Sequence, residues 1–490
     1  MSSGASERFD AIVIGAGEAG AVLANRAVAA GHRVAMLYQP PYGSTCLNTG
    51  CVPSKFMIHR ARVAHIARTA DRYHVRAGPV DVDLSSIVDQ KNATLEHHRE
   101  ESLRHAREAS RLTLIEGEAR FVSPREVAAA GRTLESDRIF IATGMRPQVP
   151  PIKGLSDVQY LTSTSLMELR EIPRHLVCIG GGYVACELGQ AFRRFGADVT
   201  IVQSAPRLLP AEEPDVSTVL ADVFETEGIR VIAGHRAVRV SSRGPDSGVS
   251  VIVVSNDDHE LTIDGSHVLV ASGRRPNTDM LDLEKAGVTA DDKGHVRVNE
   301  YLETTTRGIW AIGDVNGQQP FTRICQEEAK VAFANAFENA RLEMPRGFLG
   351  HAVFTDPSIG SVGLTEARAR DAGHDVAVGL VTFDRVEKAQ ILGETAGFMK
   401  YVVDRGTRRL LGCHVIGPDA AELVYNAIVV MRHQGTIDEL ALAVGVFPTL
   451  QEGMEGTARG LLRKLAAERV AGPLVSPEVT EAPRKARAVA

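Results

Sequence analysis

"FDAIVIGAGEAGAVLANRAVAAGHRVAMLYQ", residues 9–39, decides the fold. A short apolar run from Ala11 to Ile14 reads as a buried parallel strand. Gly15, Gly17 and Gly20 follow, then an Ala-rich helical stretch ending at Gly31, then a second strand from Val34 to Leu37. Together these make a βαβ unit suited to a dinucleotide. The first glycine allows the tight turn and the second lets the backbone approach a pyrophosphate. The third lets helix and strand pack closely, with the helix N-terminus facing the phosphates. Such glycines are specific only in a strand–turn–helix context, which is present here. One element departs from the pattern. The acid that usually ends the second strand and holds a ribose is missing, and Tyr38 and Gln39 stand there. Gln39 is the expected ribose contact.

The unit recurs at "HLVCIGGGYVACELGQAFRRFGADVTIVQ", residues 175–203, with Gly180, Gly182 and Ala185 as its three turn positions. Two dinucleotide folds in one chain imply two nucleotides and an electron path between them. Two near-repeats, "IFIATGMRP" (139–147) and "VLVASGRRPN" (268–277), read as the chain crossing between the nucleotide units. They place Thr143, Gly144 and Gly273 among the cofactor-binding positions. "GIWAIGDVNG" is a strand ending in Gly313-Asp314, where a carboxylate suits a ribityl hydroxyl. From about Gly350 the pattern turns antiparallel, with two strands around "DRGT" and then the helix "DAAELVYNAIVVMRH". The tail from about Ala471 lacks apolar periodicity and is expected to be disordered.

The 490 residues exceed what one core supports. A net charge of −6 gives no reason to expect a nucleic-acid partner. No apolar run has membrane-spanning length, and the N-terminus has no basic and apolar leader, so a cytoplasmic enzyme is expected. In that compartment thiols stay reduced. "STCLNTGCVPSK", residues 44–55, holds two of the six cysteines. A structural staple, half a metal site and a redox couple are its three readings. A zinc site would need further Cys or His ligands at short spacing; Cys178, Cys186, Cys325 and Cys413 are scattered and read as core residues. No resident metal is expected.

These stretches, with "FTDPSIGSVGLTE" (354–366), occur in the order of the flavoprotein disulfide reductases, and the chain resembles that family over about residues 9–465. The family includes glutathione reductase, dihydrolipoamide dehydrogenase and mercuric reductase. The resemblance implies an α/β protein with two Rossmann-like domains and an α+β C-terminal dimerisation domain. FAD would sit on residues 1–150, completed by 280–348, and a nicotinamide nucleotide on 151–279. An interface domain over 349–470 would make a homodimer with a shared active site.

By the same resemblance, Cys51 is the flavin-proximal thiol and Cys46 the outer one that attacks substrate. Thr45 lies at the flavin, Lys55 pairs with Glu187, and Tyr183 is a gate over the nicotinamide pocket. Local chemistry agrees, because Pro53 suits a helix's first turn and a helix N-terminus at Cys51 favours its thiolate. Gln203 ends the second strand of the second unit, followed by Ser204 and Arg207, which favours NADPH over NADH because no acid there repels a 2′-phosphate.

The family's disulfide reductases carry an acid–base histidine five residues before a glutamate. In "GVFPTLQEGMEG" the glutamate matches Glu452, but the histidine position is Phe447. Phenylalanine carries no proton, so the expected acceptor is one that needs none: a soft metal ion, as in mercuric reductase, where a tyrosine stands at this position. The paired-cysteine tail of mercuric reductases is absent, since no cysteine follows Cys413. A dithiol or disulfide reductase, a relative of ketopropyl coenzyme M reductase/carboxylase, and a degenerate nucleotide-binding dimer are the alternatives.

Overall fold

A computed structural model of the chain describes residues 6–471 other than 245, 246 and 346; of the expected disordered tail, residues 472–490 lie outside the described residues. The first parallel sheet has five strands in the order β11-β4-β1-β2-β3. These are β1 (Ala11–Ile14), β2 (Val34–Tyr38), β3 (Leu112–Glu116), β4 (Ile139–Ile141) and β11 (Ile309–Ala311). All four residues of β1 are buried, as a strand covered on both faces requires. Helix α1 (Glu18–Ala29) buries Ala19, Gly20, Leu23, Ala24 and Ala27 against it. Small residues let the two elements approach: a Cβ on Gly20 would lie 2.0 Å from the Gly15 carbonyl oxygen.

The second parallel sheet has the order β8-β7-β6-β9. Its strands are β6 (His175–Ile179), β7 (Asp198–Gln203), β8 (Ile229–Ala233) and β9 (His267–Val270), with helix α5 (Tyr183–Phe195) between the first two. The two crossing segments pair with each other, β5 (Met145–Pro147) antiparallel to β10 (Arg274–Pro276). Just beyond the pair, Asn277 Nδ2 donates to the Thr143 carbonyl at 2.8 Å.

The C-terminal sheet is antiparallel in the order β12-β13-β16-β15-β14. It comprises β12 (Gly350–Val353), β13 (Ser358–Gly363), β14 (Val376–Thr382), β15 (Phe398–Asp404) and β16 (Leu410–Gly417). The "DRGT" turn joins β15 to β16, with Asp404 Oδ1 accepting from the Thr407 amide at 2.9 Å. Three helices follow the sheet, α8 (Ala420–Arg432), a short helix at Ile437–Leu442 and α9 (Gln451–Ala471).

A buried charge cluster locks this sheet to the start of helix α6 (Pro214–Thr226) in the second nucleotide unit. Lys400 is 4% exposed and its Nζ meets Glu366 at 3.0 Å, Glu213 at 3.1 Å and Asp215 at 3.3 Å. A buried ammonium so surrounded is compensated, and removing one carboxylate would leave it short of partners.

Candidate active site

Both glycine turns behave as their spacing predicts. Gly15 has φ +116°, and a Cβ there would lie 2.3 Å from the Ala142 carbonyl oxygen. Gly180 repeats this, with φ +111° and 2.4 Å to the Ala271 oxygen. The middle glycines are different. A Cβ on Gly17 would find its nearest atom at 3.9 Å, and one on Gly182 would find nothing within 4 Å. Each therefore faces open space at a helix N-terminus, as a pyrophosphate site requires. Beside the first turn, the buried Thr143 Oγ1 has no hydrogen-bond partner, an orphan that a bound nucleotide would satisfy. Gly144 (φ +64°) and Gly273 (φ +128°) follow the two crossing strands' parent strands with little around them. The residues present fit FAD at the first turn and a second dinucleotide at the other.

The cysteines sit on consecutive helices, α2 (Thr45–Asn48) and α3 (Cys51–Arg68). Ser44 caps the first, its Oγ accepting from the Leu47 amide at 3.0 Å. Pro53 occupies the first turn of the second, where its missing N–H costs nothing. Both thiols are free and hydrogen-bonded to each other, which brings the Cys51 thiol down to about 6. Burial opposes that shift, while the Thr322 hydroxyl and the Lys55 ammonium support it. Cys46 moves the other way, pushed up chiefly by donating to Cys51 and then by burial. The surroundings of the reduced pair thus favour the negative charge on Cys51 and the proton on Cys46.

Lys55, one turn after Cys51, pairs with Glu187 on α5 at 2.8 Å. Glu187 is 4% exposed, and its other oxygen accepts from the Phe354 amide at 2.8 Å. The pair expected from sequence forms, and it ties the redox helix to the second nucleotide unit and to the C-terminal sheet. Tyr183 begins α5, its ring 6.4 Å from that of Phe321.

Phe321 precedes helix α7 (Thr322–Phe337), the element that sequence reasoning missed. Thr322 Oγ1 lies 3.6 Å from Cys51 Sγ. On the same helix, Cys325 Sγ donates to Asp314 Oδ1 at 3.4 Å, and Gln326 Nε2 donates to Glu18 Oε2 at 2.9 Å. Glu18 Oε1 in turn accepts from the Ser44 hydroxyl at 2.9 Å. One helix thus braces the Asp314 loop and the cysteine turn together.

At the second nucleotide, Gln203 packs against the glycine turn: a Cβ on Gly181 would lie 2.8 Å from its Cβ. Ser204 is exposed beside it. Arg207 folds onto its own loop, donating to the Pro210 carbonyl at 2.9 Å. Phe447 is not gathered with the cysteines of its own chain. It stands 69% exposed in an apolar segment with Leu442 (79%), Val444 (95%) and Val446 (72%). Glu452 Oε1 accepts from the Thr449 amide at 3.1 Å, capping the start of α9.

Among the described residues no three or more His, Cys, Asp or Glu side chains gather as a metal site. None of the helices there is long and apolar enough to cross a membrane.

Comparison with known proteins agrees with this geometry. Residues 9–336 match the pyridine nucleotide-disulphide oxidoreductase family, and residues 350–458 match its dimerisation domain. A mercuric reductase of Staphylococcus aureus is 35% identical over 447 residues, 91% of this chain and 81% of that protein. A dihydrolipoyl dehydrogenase of Thermus scotoductus is 35% identical over 461 residues, 92% of this chain and 97% of that protein. Among solved structures, the Cu(II) complex of the HOCl-induced flavoprotein disulfide reductase RclA from Escherichia coli superposes with a TM-score of 0.83. It is 28% identical and covers 93% of this chain and 100% of its own.

Proposed function

The chain belongs to the pyridine nucleotide-disulphide oxidoreductase family, FAD enzymes with NAD(P)H as electron donor, and from that premise we propose that its dithiol reduces a soft metal ion. When bound, FAD supplies the transfer of an electron pair from the nicotinamide to sulfur. Gly15, Gly17, Gly20, Thr45, Thr143, Gly144 and Asp314 would hold it. Gly180, Gly182, Gly273, Gln203, Ser204 and Arg207 would hold the nicotinamide nucleotide, with Tyr183 over its ring.

One observation carries the reading: the position that would manage the proton of the Cys46–Cys51 pair is Phe447, a side chain that can carry none. A disulfide acceptor leaves as thiolate and must be protonated, a step where acid–base catalysis contributes about 10²–10⁴-fold. A soft cation needs only thiolate ligands and electrons. Cys46 gives up its proton as it ligates, and NAD(P)H yields NAD(P)⁺, a proton and two electrons. Those electrons reduce one mercury(II), or two copper(II) ions by one electron each.

The exposed apolar segment around Phe447 supports a homodimer in which each subunit's segment reaches the other's cysteines. A cytoplasmic setting, where thiols are kept reduced, would suit a dithiol enzyme of this kind. Glu452, retained from the disulfide reductases, favours a second reading as a dithiol or disulfide reductase. Anaerobic NADPH oxidation with mercury(II), copper(II), lipoamide and glutathione disulfide separates the two. Faster turnover with either disulfide than with both metals would replace the first reading by the second.

A further inference from the structure

In an open α/β sheet a ligand lies outside the carboxyl ends of the strands, and the acid at the second strand's end binds ribose hydroxyls. Here that position is Tyr38, so the carboxylate has to come from elsewhere or be absent. β2 and β3 run parallel, with Tyr38 the register partner of Glu116. Partners in a parallel pair project to the same side, so Glu116 ends β3 level with the position the usual acid would hold. Beyond the pair, the Gly117 amide donates to the Tyr38 carbonyl at 2.9 Å, so the strands stay together past the carboxylate.

The tyrosine is placed to hold that carboxylate. Its ring is 9% exposed and meets Tyr42 edge-on at 5.2 Å. Its hydroxyl donates to Glu116 Oε2 at 2.9 Å, with the positive charge of Arg107 on α4 (Leu84–Glu108) near it. Glu116 itself is exposed, with a second oxygen to offer a ligand. As a device for stability alone the pair would contribute little, because an exposed carboxylate is well solvated without it.

We propose that Glu116 is the ribose-binding acid for the adenosine of FAD, carried one strand over from its usual place and oriented by Tyr38. Gln39, exposed beside it, would supply a neutral contact to the same diol. The inference rests on FAD occupying the first glycine turn.

The test is exchange of bound flavin on the full-length holoprotein. Excess FAD is compared with an FAD analogue whose adenosine lacks the 2′-hydroxyl, followed by flavin fluorescence. Wild type should prefer FAD by about tenfold to a hundredfold, the range for a hydrogen bond to a charged group. Glu116→Ala should bring that preference close to unity, and Tyr38→Phe, which keeps the acid but frees it, should lose part of it. Glu116→Ala retaining the wild-type preference would overturn the assignment while leaving FAD binding intact. A wild-type protein without flavin would instead overturn the reading beneath it.

Discussion

The cysteine turn at 44–55 and the segment at 442–452 are the two halves of a thiol reductase, and this chain treats them oppositely. The first is over-determined. Ser44 caps its helix and binds Glu18, Thr322 touches Cys51, and Lys55 is held by a buried glutamate. The second projects from the subunit, its histidine position taken by an exposed phenylalanine, and its glutamate is engaged in capping its own helix. On the proposed reading, the half that delivers electrons is held in place while the half that would move a proton lacks an acid. An enzyme that had lost its function altogether would have no reason to keep the first half so tightly built.

The largest effect that would break this contrast comes from the cysteines. Cys46→Ser or Cys51→Ser should each lower NADPH-driven metal reduction by about 10³-fold or more, as loss of a reacting group does. Anaerobic stopped-flow measurement would show it. Activity surviving either change would mean that electrons reach the acceptor without the dithiol.

A subtler effect concerns the charge on the pair. The Cys51 thiolate should populate as pH rises through about 6, and be lost below it. Thr322→Val removes a hydrogen bond to the thiolate, so the midpoint should move up, by about one unit at most. The ultraviolet thiolate absorbance of the reduced protein against pH reads this directly. A midpoint left at its wild-type value would show that Thr322 is a packing contact only.

The smallest expected effect is nucleotide choice. Arg207 donates to Pro210, and must turn from it to meet a 2′-phosphate. An exposed ion pair of that kind is worth about twofold to fivefold in favour of NADPH. The ratio of kcat/KM for the two nucleotides measures it, and Arg207→Ala should erase the preference.

What could be read from sequence follows the range of the interactions involved. The glycine turns are local, and Gly15, Gly17 and Gly20 are legible through their spacing together with the strand before them and the helix after. The redox pair is local too, five residues from Cys46 to Cys51, with its helix start marked by Pro53. Lys55 and Glu187 are far apart, and only family resemblance joined them. Thr322 was missed because it lies 271 residues from Cys51. A threonine opening a helix reads as a cap or a surface residue. Glu116 was missed for a related reason: helices α2, α3 and the 25-residue α4 separate its strand from β2, and parallel register cannot be seen before the sheet is assembled. The departures at Tyr38 and Phe447 were legible as absences. Only the assembled sheet brought forward a residue that could answer the first.

Phe447 separates the two readings of the site, and one measurement reaches it most directly. The holoprotein is reduced anaerobically with one equivalent of NADPH, then reoxidised in a single turnover by lipoamide or by mercury(II), in wild type and in Phe447→His. The new imidazole should raise the lipoamide rate about tenfold to a hundredfold, reaching at most the low end of what acid–base catalysis typically contributes, since Glu452 must leave Thr449 to orient it. The mercury(II) rate should stay within about twofold, as a step needing no proton gains nothing from an acid. Wild type reoxidised by lipoamide as fast as by mercury(II), with no gain in Phe447→His, would contradict the account.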